Sequence, residues 1–314
     1  MAGPDRPILL DNVSVVPTTD RVPVTAIVLT LNEARNLDAC LASLAGWVQA
    51  LHVVDSGSTD GTLEIAARYG ASVRTHPFET HGRQWQWALE TVATGPDWVL
   101  ALDADQRVTP ELREAIAAFV RSASPEAAGA FVRRRQIFRG RFIRFGGYYP
   151  KYLLKLFRRS AVWMDHGDLV DHHFRVRGAT VRLEHDIIED NRNEASITAW
   201  TEKHNRYAAL QAREELARAR EPLPSGLRPS LVGSPDERVL RLKQIWAGLP
   251  LYWRPLLYFV YRYLVRLGFL DGKQGFVFHV LQAFWYRLLV DINLDELRRT
   301  AQASGESRGS TPTS

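Results

Sequence analysis

The chain has 314 residues, 46% of them hydrophobic and 24% charged, enough apolar material for a sizeable core, which excludes disorder as the main state. Its single cysteine, Cys40, excludes an intramolecular disulfide framework and fits a reducing compartment. A net charge of +5 and a pI near 9.4 favour acidic partners such as phosphates, anionic lipid or nucleic acid, without choosing among them.

Residues 1–23 lack the basic start, apolar run and small-residue site of a cleaved secretory signal, so the catalytic part is expected in the cytosol. From Val24 to Phe119, β-type runs (VTAIVLT, LHVVDS, SVRTH, WVLALDAD) alternate with helical patterns. This alternation predicts βαβ units and a largely parallel sheet. Leu37, Cys40, Leu41 and Leu44 mark one helical face, Gly70 ends the second helix, and Thr109-Pro110 supplies a cap with proline at the first helical position. Ligands of such sheets bind at the carboxyl ends of the strands, where Asn32, Asp55, Asp103 and Asp105 fall.

From Ala130 to about His185, short β-like runs predict an antiparallel or mixed extension of the sheet. A helical stretch spans about 194–220, followed by a Pro/Gly/Ser-rich linker over 221–237. The expected organisation is an extension (1–23), a catalytic domain (24–220), the linker, an amphipathic helical region (238–300) and a disordered tail (301–314). The helical region is rich in Leu, Trp, Tyr and Phe but interrupted by Arg241, Lys243, Arg254, Arg262, Arg266 and Arg287. That pattern is poor for spanning a bilayer and suits an interfacial position, with arginine pairing lipid phosphate; the alternative is a hairpin packed on the catalytic domain.

Three segments carry chemistry. Asp103 and Asp105, one residue apart after the apolar run WVLAL, offer hard oxygen ligands for Mg²⁺ or Mn²⁺. Such an ion would neutralise charge on a leaving diphosphate; an isolated Asp-x-Asp is as readily an acidic turn. In VVDSGSTDGT, a capped βα turn accounts for Ser58 and Gly61 but does not require the Asp55 carboxylate, which is left to accept a nucleobase N–H. In LTLNEARNL, Thr30, Asn32 and Glu33 hold the position of first nucleotide contact. No GxGxxG or GxxxxGK[ST] is present, so dinucleotide and P-loop readings lose their support.

These three segments, about 25 and 48 residues apart, resemble glycosyltransferase family 2, inverting enzymes of GT-A fold. The whole-chain layout, with an LFRR strand, a helix containing KHNRYA and the segment GFLDGKQGFVFHVLQAFWYR, is similar to the lipopolysaccharide-core glucosyltransferase branch. The resemblance implies a GT-A sheet and a nucleotide-sugar donor, a UDP-sugar first. It places Thr30, Asn32, Glu33 and Asp55 at the nucleobase, Asp103 near ribose and metal, Asp105 on the metal, and Gly82, Arg83 and Gln84 near the donor. It further implies a lipid-linked or lipopolysaccharide-core acceptor and a peripheral place on the anionic cytoplasmic face of the inner membrane.

Many relatives continue the motif Asp-Ala-Asp-Glu, where this chain has Gln106. For the catalytic base, relatives place an acid beside a histidine after the LFRR strand; here GDLVDHHFRV makes Asp171 first choice and His172 second, with Asp168 and His173 close by. A zinc site on Asp-His-His is disfavoured because neighbours in a strand face opposite ways. Between Arg133 and Arg159 lie ten basic residues and no acidic one: Arg133, Arg134, Arg135, Arg139, Arg141, Arg144, Lys151, Lys155, Arg158 and Arg159. This block needs an anionic neighbour, namely donor diphosphate, phosphorylated acceptor or bilayer, each basic residue near a membrane contributing about 1 kcal/mol. Nucleic acid is not expected, since no RNA-binding or helix-turn-helix signature accompanies it. The rivals are a catalytically silent membrane scaffold and a metal-dependent nucleotidyltransferase.

Overall fold

The computed structural model describes residues 21–92, 95–164, 173–218, 230, 232 and 235–309. β1 (Val22–Thr30), β2 (Val48–Asp55), β3 (Ser72–Thr75) and β4 (Trp98–Asp103) are joined through helices α1 (Leu37–Ala42), α2 (Thr62–Arg68) and α3 (His81–Thr91). β1 pairs in parallel with both β2 and β4, and β2 with β3. The register sets Thr30 opposite Asp55 and Leu29 opposite Asp103, so the polar strand ends share one edge, as the alternation predicts. β4 is buried along its apolar run, which is why it reads as continuous hydrophobics rather than an alternating pattern.

β5 (Gln106–Val108) and α4 (Pro110–Ser122) follow, then β6 (Ala127–Phe138), β7 (Arg141–Phe142), β8 (Lys151–Arg158), β9 (Val162–Met164), β10 (Phe174–Val176) and β11 (Ala179–Glu189). The main sheet runs β3-β2-β1-β4-β8-β6-β11-β5, with β7 on β6, while β9 and β10 form a separate hairpin. β8 is antiparallel to β4 and β6, and β11 is parallel to β6. This is a mixed extension on a parallel half, a GT-A-type sheet. One core layer packs α1, α2 and α4 on the sheet and a second packs α3 and the β9–β10 hairpin on the other face. Cys40 is buried in the first layer, in keeping with a packing role. Thr109 caps α4 by accepting the Leu112 N–H.

α5 (Ile197–Arg218) touches the sheet at its start, where Trp200 meets Phe138 of β6, and lies for the rest of its length with the C-terminal helices. Ala208 and Ala212 pack on Tyr286, Val290 and Leu294 of α9 (Tyr286–Gly309). α6 (Pro235–Gly248) begins inside the stretch read as linker, proline being suited to the first helical position. α7 (Trp253–Val260) runs on through a π-helical segment at Tyr261–Val265, and α8 (Gly272–His279) through another at Val280–Trp285 into α9. α9 reaches Gly309, so residues 301–309 are helical where disorder was expected; Ala301, Gln302 and Ala303 are strong helix formers that extend a helix already anchored by packing. Among the described residues, no helix is long and apolar enough to cross a membrane.

Two charge expectations are corrected by packing. Three arginines of the basic block find their anions inside the fold, on β11. Arg133 and Arg135 meet Asp186 at 3.1 and 2.5 Å, and Arg134 meets Glu189 at 3.2 Å. The β6–β11 register puts Arg133, Arg135 and Asp186 on one face of the sheet and Arg134 with Glu189 on the other, and opposite charges pair on each. Likewise three of the arginines expected at lipid phosphate turn inward. Arg254 is buried between Asp291 (2.5 Å) and Glu215 (2.9 Å), and Arg262 and Arg287 lie over Tyr258 at 5.0 and 5.8 Å. What faces outward is apolar: Trp253, Leu257, Tyr261, Leu264 and Val265 are between 45% and 66% exposed.

Candidate active site

The two turns at the ends of β1 and β2 close on each other. Asp55, 1% exposed, accepts from Thr30 Oγ1 at 2.8 Å and Ser58 Oγ at 2.5 Å on one oxygen. Its other oxygen accepts the N–H groups of Gly57 and Ser58 at 2.9 and 2.8 Å. The turn therefore does use the carboxylate that sequence reasoning left over, because four donors converge there and a carboxylate has about four lone-pair positions. Asn32 adopts a left-handed φ of 56°, which asparagine tolerates, and its Oδ1 accepts the Thr59 N–H at 2.8 Å. The Glu33 N–H donates to Thr62 Oγ1 at 2.8 Å, and Glu33 Oε2 accepts from Asn36 and Asn193 at 2.7 and 3.0 Å. Burial raises the Glu33 pKa against these bonds and the pull of Lys203.

Beside these turns, Gln84 is buried on α3 and bridges the ends of β2 and β3. Its Nε2 donates to Ser56 Oγ and the His76 carbonyl, both at 3.1 Å. Gly82 is buried next to it, while Arg83 is exposed and paired with Glu79. Gln84 thus fixes the helix to the strand end, and Arg83 is the solvent-side cation there.

At the end of β4, Asp103 Oδ2 accepts from Lys155 Nζ at 3.0 Å. Lys155 comes from β8 and is almost fully buried, so its ammonium requires this carboxylate. Gln106 is also buried. Its Oε1 accepts the Asp103 N–H at 3.2 Å and its Nε2 donates to Glu189 Oε2 at 2.9 Å. An amide supplies the donor that Glu189 needs, whereas the glutamate of many relatives would set two carboxylates together. Asp105 makes a different environment. Its pKa is raised well above the ordinary carboxylate range, first by burial and then by Glu189 and Asp103, with Lys203 opposing. Burial lowers the Lys203 pKa, but Glu194, which accepts its ammonium at 2.5 Å, together with Tyr207 and Asp105 reverses that and keeps it cationic.

Asp105 lies on the wall of a cavity of about 690 Å³ between the sheet and the C-terminal helices. The opposite walls include Trp200, His204 and Tyr207 of α5, Tyr258 and Arg262 of α7 and its extension, and Arg287 of α9. Trp200 and His204 stack at 3.5 Å. Of the residues predicted from sequence, Asp105 lines this cavity; Thr30, Asn32, Glu33, Asp55, Arg83, Gln84 and Asp103 do not. The first four share the strand-end network and Asp103 stands between the two sets. Asp168, Asp171 and His172 lie outside the described residues, and His173, just before β10, is exposed.

Sequence reasoning named Lys155 only within the basic block and Lys203 only within KHNRYA, with no place at Asp105 for either, and missed Glu189. A lysine inside the apolar run YLLKLF was a usable signal, since a strand residue flanked by buried neighbours must find a counter-charge. Glu189 and Lys203 carried none, because only the fold brings them to Asp105. The excess of carboxylate around Asp105 and its raised pKa fit a hard divalent cation. Among the described residues, no group of three or more His, Cys, Asp or Glu side chains is placed to hold a metal by itself.

Residues 25–177 match the family model described as glycosyl transferase family 2. Over 150 residues the chain is 33% identical to the lipopolysaccharide core biosynthesis glycosyltransferase LpsC of Rhizobium meliloti, covering 45% of this chain and 52% of the relative. It is 36% identical over 93 residues to an uncharacterized glycosyltransferase of Rickettsia felis, covering 30% and 32%. The chain thus spans about half or less of the length of these curated relatives. Among solved structures it is similar to the mannosyltransferase PcManGT from Pyrobaculum calidifontis in complex with GDP-Man and Mn²⁺, at 18% identity, 88% coverage of each chain and a TM-score of 0.47. The segment that builds β1 to β10 and carries Asp55, Asp103 and Asp105 is thus the one that matches glycosyl transferase family 2.

Proposed function

We propose that the protein transfers a sugar, with inversion, from a nucleotide-sugar to a lipid-linked or lipopolysaccharide-type saccharide at the cytoplasmic face of the inner membrane. The observation that carries this reading is Asp105, an electrostatically loaded carboxylate at a strand end that also faces a large cavity. The nucleotide, a UDP-sugar first, would lie along the ends of β1 and β2. There the Asp55-centred network holds the backbone of both turns rigid, and Asn32, Glu33, Arg83 and Gln84 flank it.

Asp105, with Asp103 beside it, would hold a divalent Mg²⁺ or Mn²⁺ ion, which supplies charge neutralisation to the departing nucleoside diphosphate. Lys155 fixes the Asp103 carboxylate in place, and prearranged charge of this kind is the largest protein contribution to such a transfer. Asp171, or His172 after it, would take the acceptor hydroxyl's proton on the face opposite the leaving group. The name of the LpsC relative supports a lipopolysaccharide-type acceptor.

Support for membrane contact is the outward face of α7 and its extension. Exposed large apolar side chains gather there, and between residues 241 and 290 the chain has one acidic residue, Asp271, which is buried. A surface both apolar and free of exposed acids suits an anionic bilayer.

The test is thermal stabilisation by a panel of nucleoside diphosphates and nucleotide-sugars, each with Mn²⁺ or chelator, followed by the anomeric configuration of the product by NMR. A metal-dependent shift for one nucleotide is expected, since a ligand binding only the folded state raises its stability. Folded protein that shifts with none of them would sink the reading.

A further inference from the structure

Lys151 aside, the cations on the cavity wall divide into two kinds. Arg134 meets Glu189 at 3.2 Å, Lys203 meets Glu194 at 2.5 Å and Arg192 meets Asp190 at 3.9 Å. Arg139, Arg262 and Arg287 also line the cavity, and among the described residues none of the three is paired with a carboxylate.

What holds these three is not charge. Arg262 lies over the Tyr148 ring at 4.3 Å, donates to Tyr258 Oη at 2.8 Å and to the Gly146 carbonyl at 2.6 Å. Arg287 sits by the rings of Tyr258 and Tyr286, at 5.8 and 5.6 Å. Such contacts fix a guanidinium without neutralising it. Arg139 is the first residue of the two-residue turn joining β6 and β7, where it and Gly140 take φ of 49° and 77°. That turn favours Asn-Gly, so arginine is held in an unfavourable conformation on the cavity wall, as happens at functional positions.

We infer that this cavity is the acceptor subsite and that it selects a saccharide bearing a phosphate group. Arg139, Arg262 and Arg287 would engage the phosphate oxygens, guanidinium being the group best matched to them, and the rings of Tyr207 and Tyr258 would lie against the sugar. The inference rests on the glycosyltransferase reading above and deepens it. The phosphate has two sources, a substituent on the sugar or the diphosphate joining a saccharide to its lipid. α7 and its extension give the arrangement a reason. Tyr258 and Arg262 line the cavity while Leu257, Tyr261 and Leu264 are exposed, so one helical element separates the acceptor cavity from the apolar face.

The test compares acceptors in the full chain and in Arg139→Asn and Arg287→Gln. Asparagine suits the left-handed turn, so the first variant removes the guanidinium without disturbing the hairpin. One arm uses core-truncated lipopolysaccharide before and after removal of its phosphates with aqueous hydrogen fluoride; the other uses a polyprenyl-diphosphate-linked disaccharide. Each variant should raise KM for the phosphorylated acceptor roughly tenfold, the worth of one charged hydrogen bond, with kcat within about twofold. Wild-type KM should rise on dephosphorylation, and the variants should lose that preference. An effect confined to the lipopolysaccharide arm assigns the phosphate to the sugar; one confined to the polyprenyl arm assigns it to the lipid linkage. Equal KM values in wild type and both variants would overturn the inference. So would a wild-type chain that hydrolyses its donor with Mn²⁺ yet transfers to neither acceptor, an outcome that leaves the glycosyltransferase reading standing; absence of any nucleotide-induced shift fails that reading itself.

Discussion

The strand-end turns and the cavity beside them are both polar, and they differ in whether their polar groups are already used. Around Asp55, four donors occupy the carboxylate and Asn32, Ser58, Asp60 and Thr62 bond one another. Around Asp105 and across the cavity, carboxylates face carboxylates and guanidiniums face rings. A saturated network gives shape, whereas unsatisfied charge gives affinity or catalysis and costs stability. Substitutions in the first region should act mainly on folding, and those in the second mainly on turnover.

The largest expected effect is at Asp105. Asp105→Ala should lower kcat by about 10³-fold or more, the scale of losing a preorganised charge in the transition state, with an unchanged circular dichroism spectrum. Turnover within tenfold of wild type would erase the distinction between the two regions. Next is Lys155→Met, which strips Asp103 of its buried partner. It should lower stability by roughly 3 kcal/mol in urea unfolding, since breaking a buried ion pair strands the remaining charge.

A smaller effect tests the outward apolar face. The double change Trp253→Ser and Leu264→Ser should weaken partitioning onto vesicles containing anionic phospholipid by about tenfold or more, at roughly 1 kcal/mol for each partly buried side chain. Melting temperature should hold, because both side chains are exposed; unchanged partitioning would move the apolar face to another partner.

Smallest is a stability effect with a defined sign. The Asp105 pKa is raised in the folded state, so its ionisation opposes folding. That penalty is absent below the unfolded carboxylate value of about 3.9 and grows as pH rises through the folded value. Asp105→Asn should therefore melt higher than wild type at neutral pH without metal, by about 2–4 °C for each kcal/mol released, and the gap should close as pH falls towards 4. A gap independent of pH would point to packing and not to charge.

Much of the parallel half was legible because its signals are local. Apolar runs of strand length, Thr109-Pro110 before α4 and the polar residues at strand ends each mark their place within a few residues of sequence. The same locality made Asp103 and Asp105 visible together. The arginine block shows where that kind of reading stops. Its run without acids looked like a surface awaiting an outside anion, and Glu184, Asp186 and Glu189 arrive from a strand about 50 residues on, brought alongside by the β6–β11 register.

By itself, then, the sequence determined the strand and helix alternation, the carboxylates at the sheet edge and the family that the segment 25–177 matches. The periodicity of buried side chains and the chemistry of turns are written in consecutive residues. Tertiary structure alone decided which charges are spent on each other. It carried most of α5 away from the sheet to α9, turned Arg254, Arg262 and Arg287 inward and left the apolar face of α7 outside. Pairing energy depends on distance and burial, and neither exists until the chain has folded.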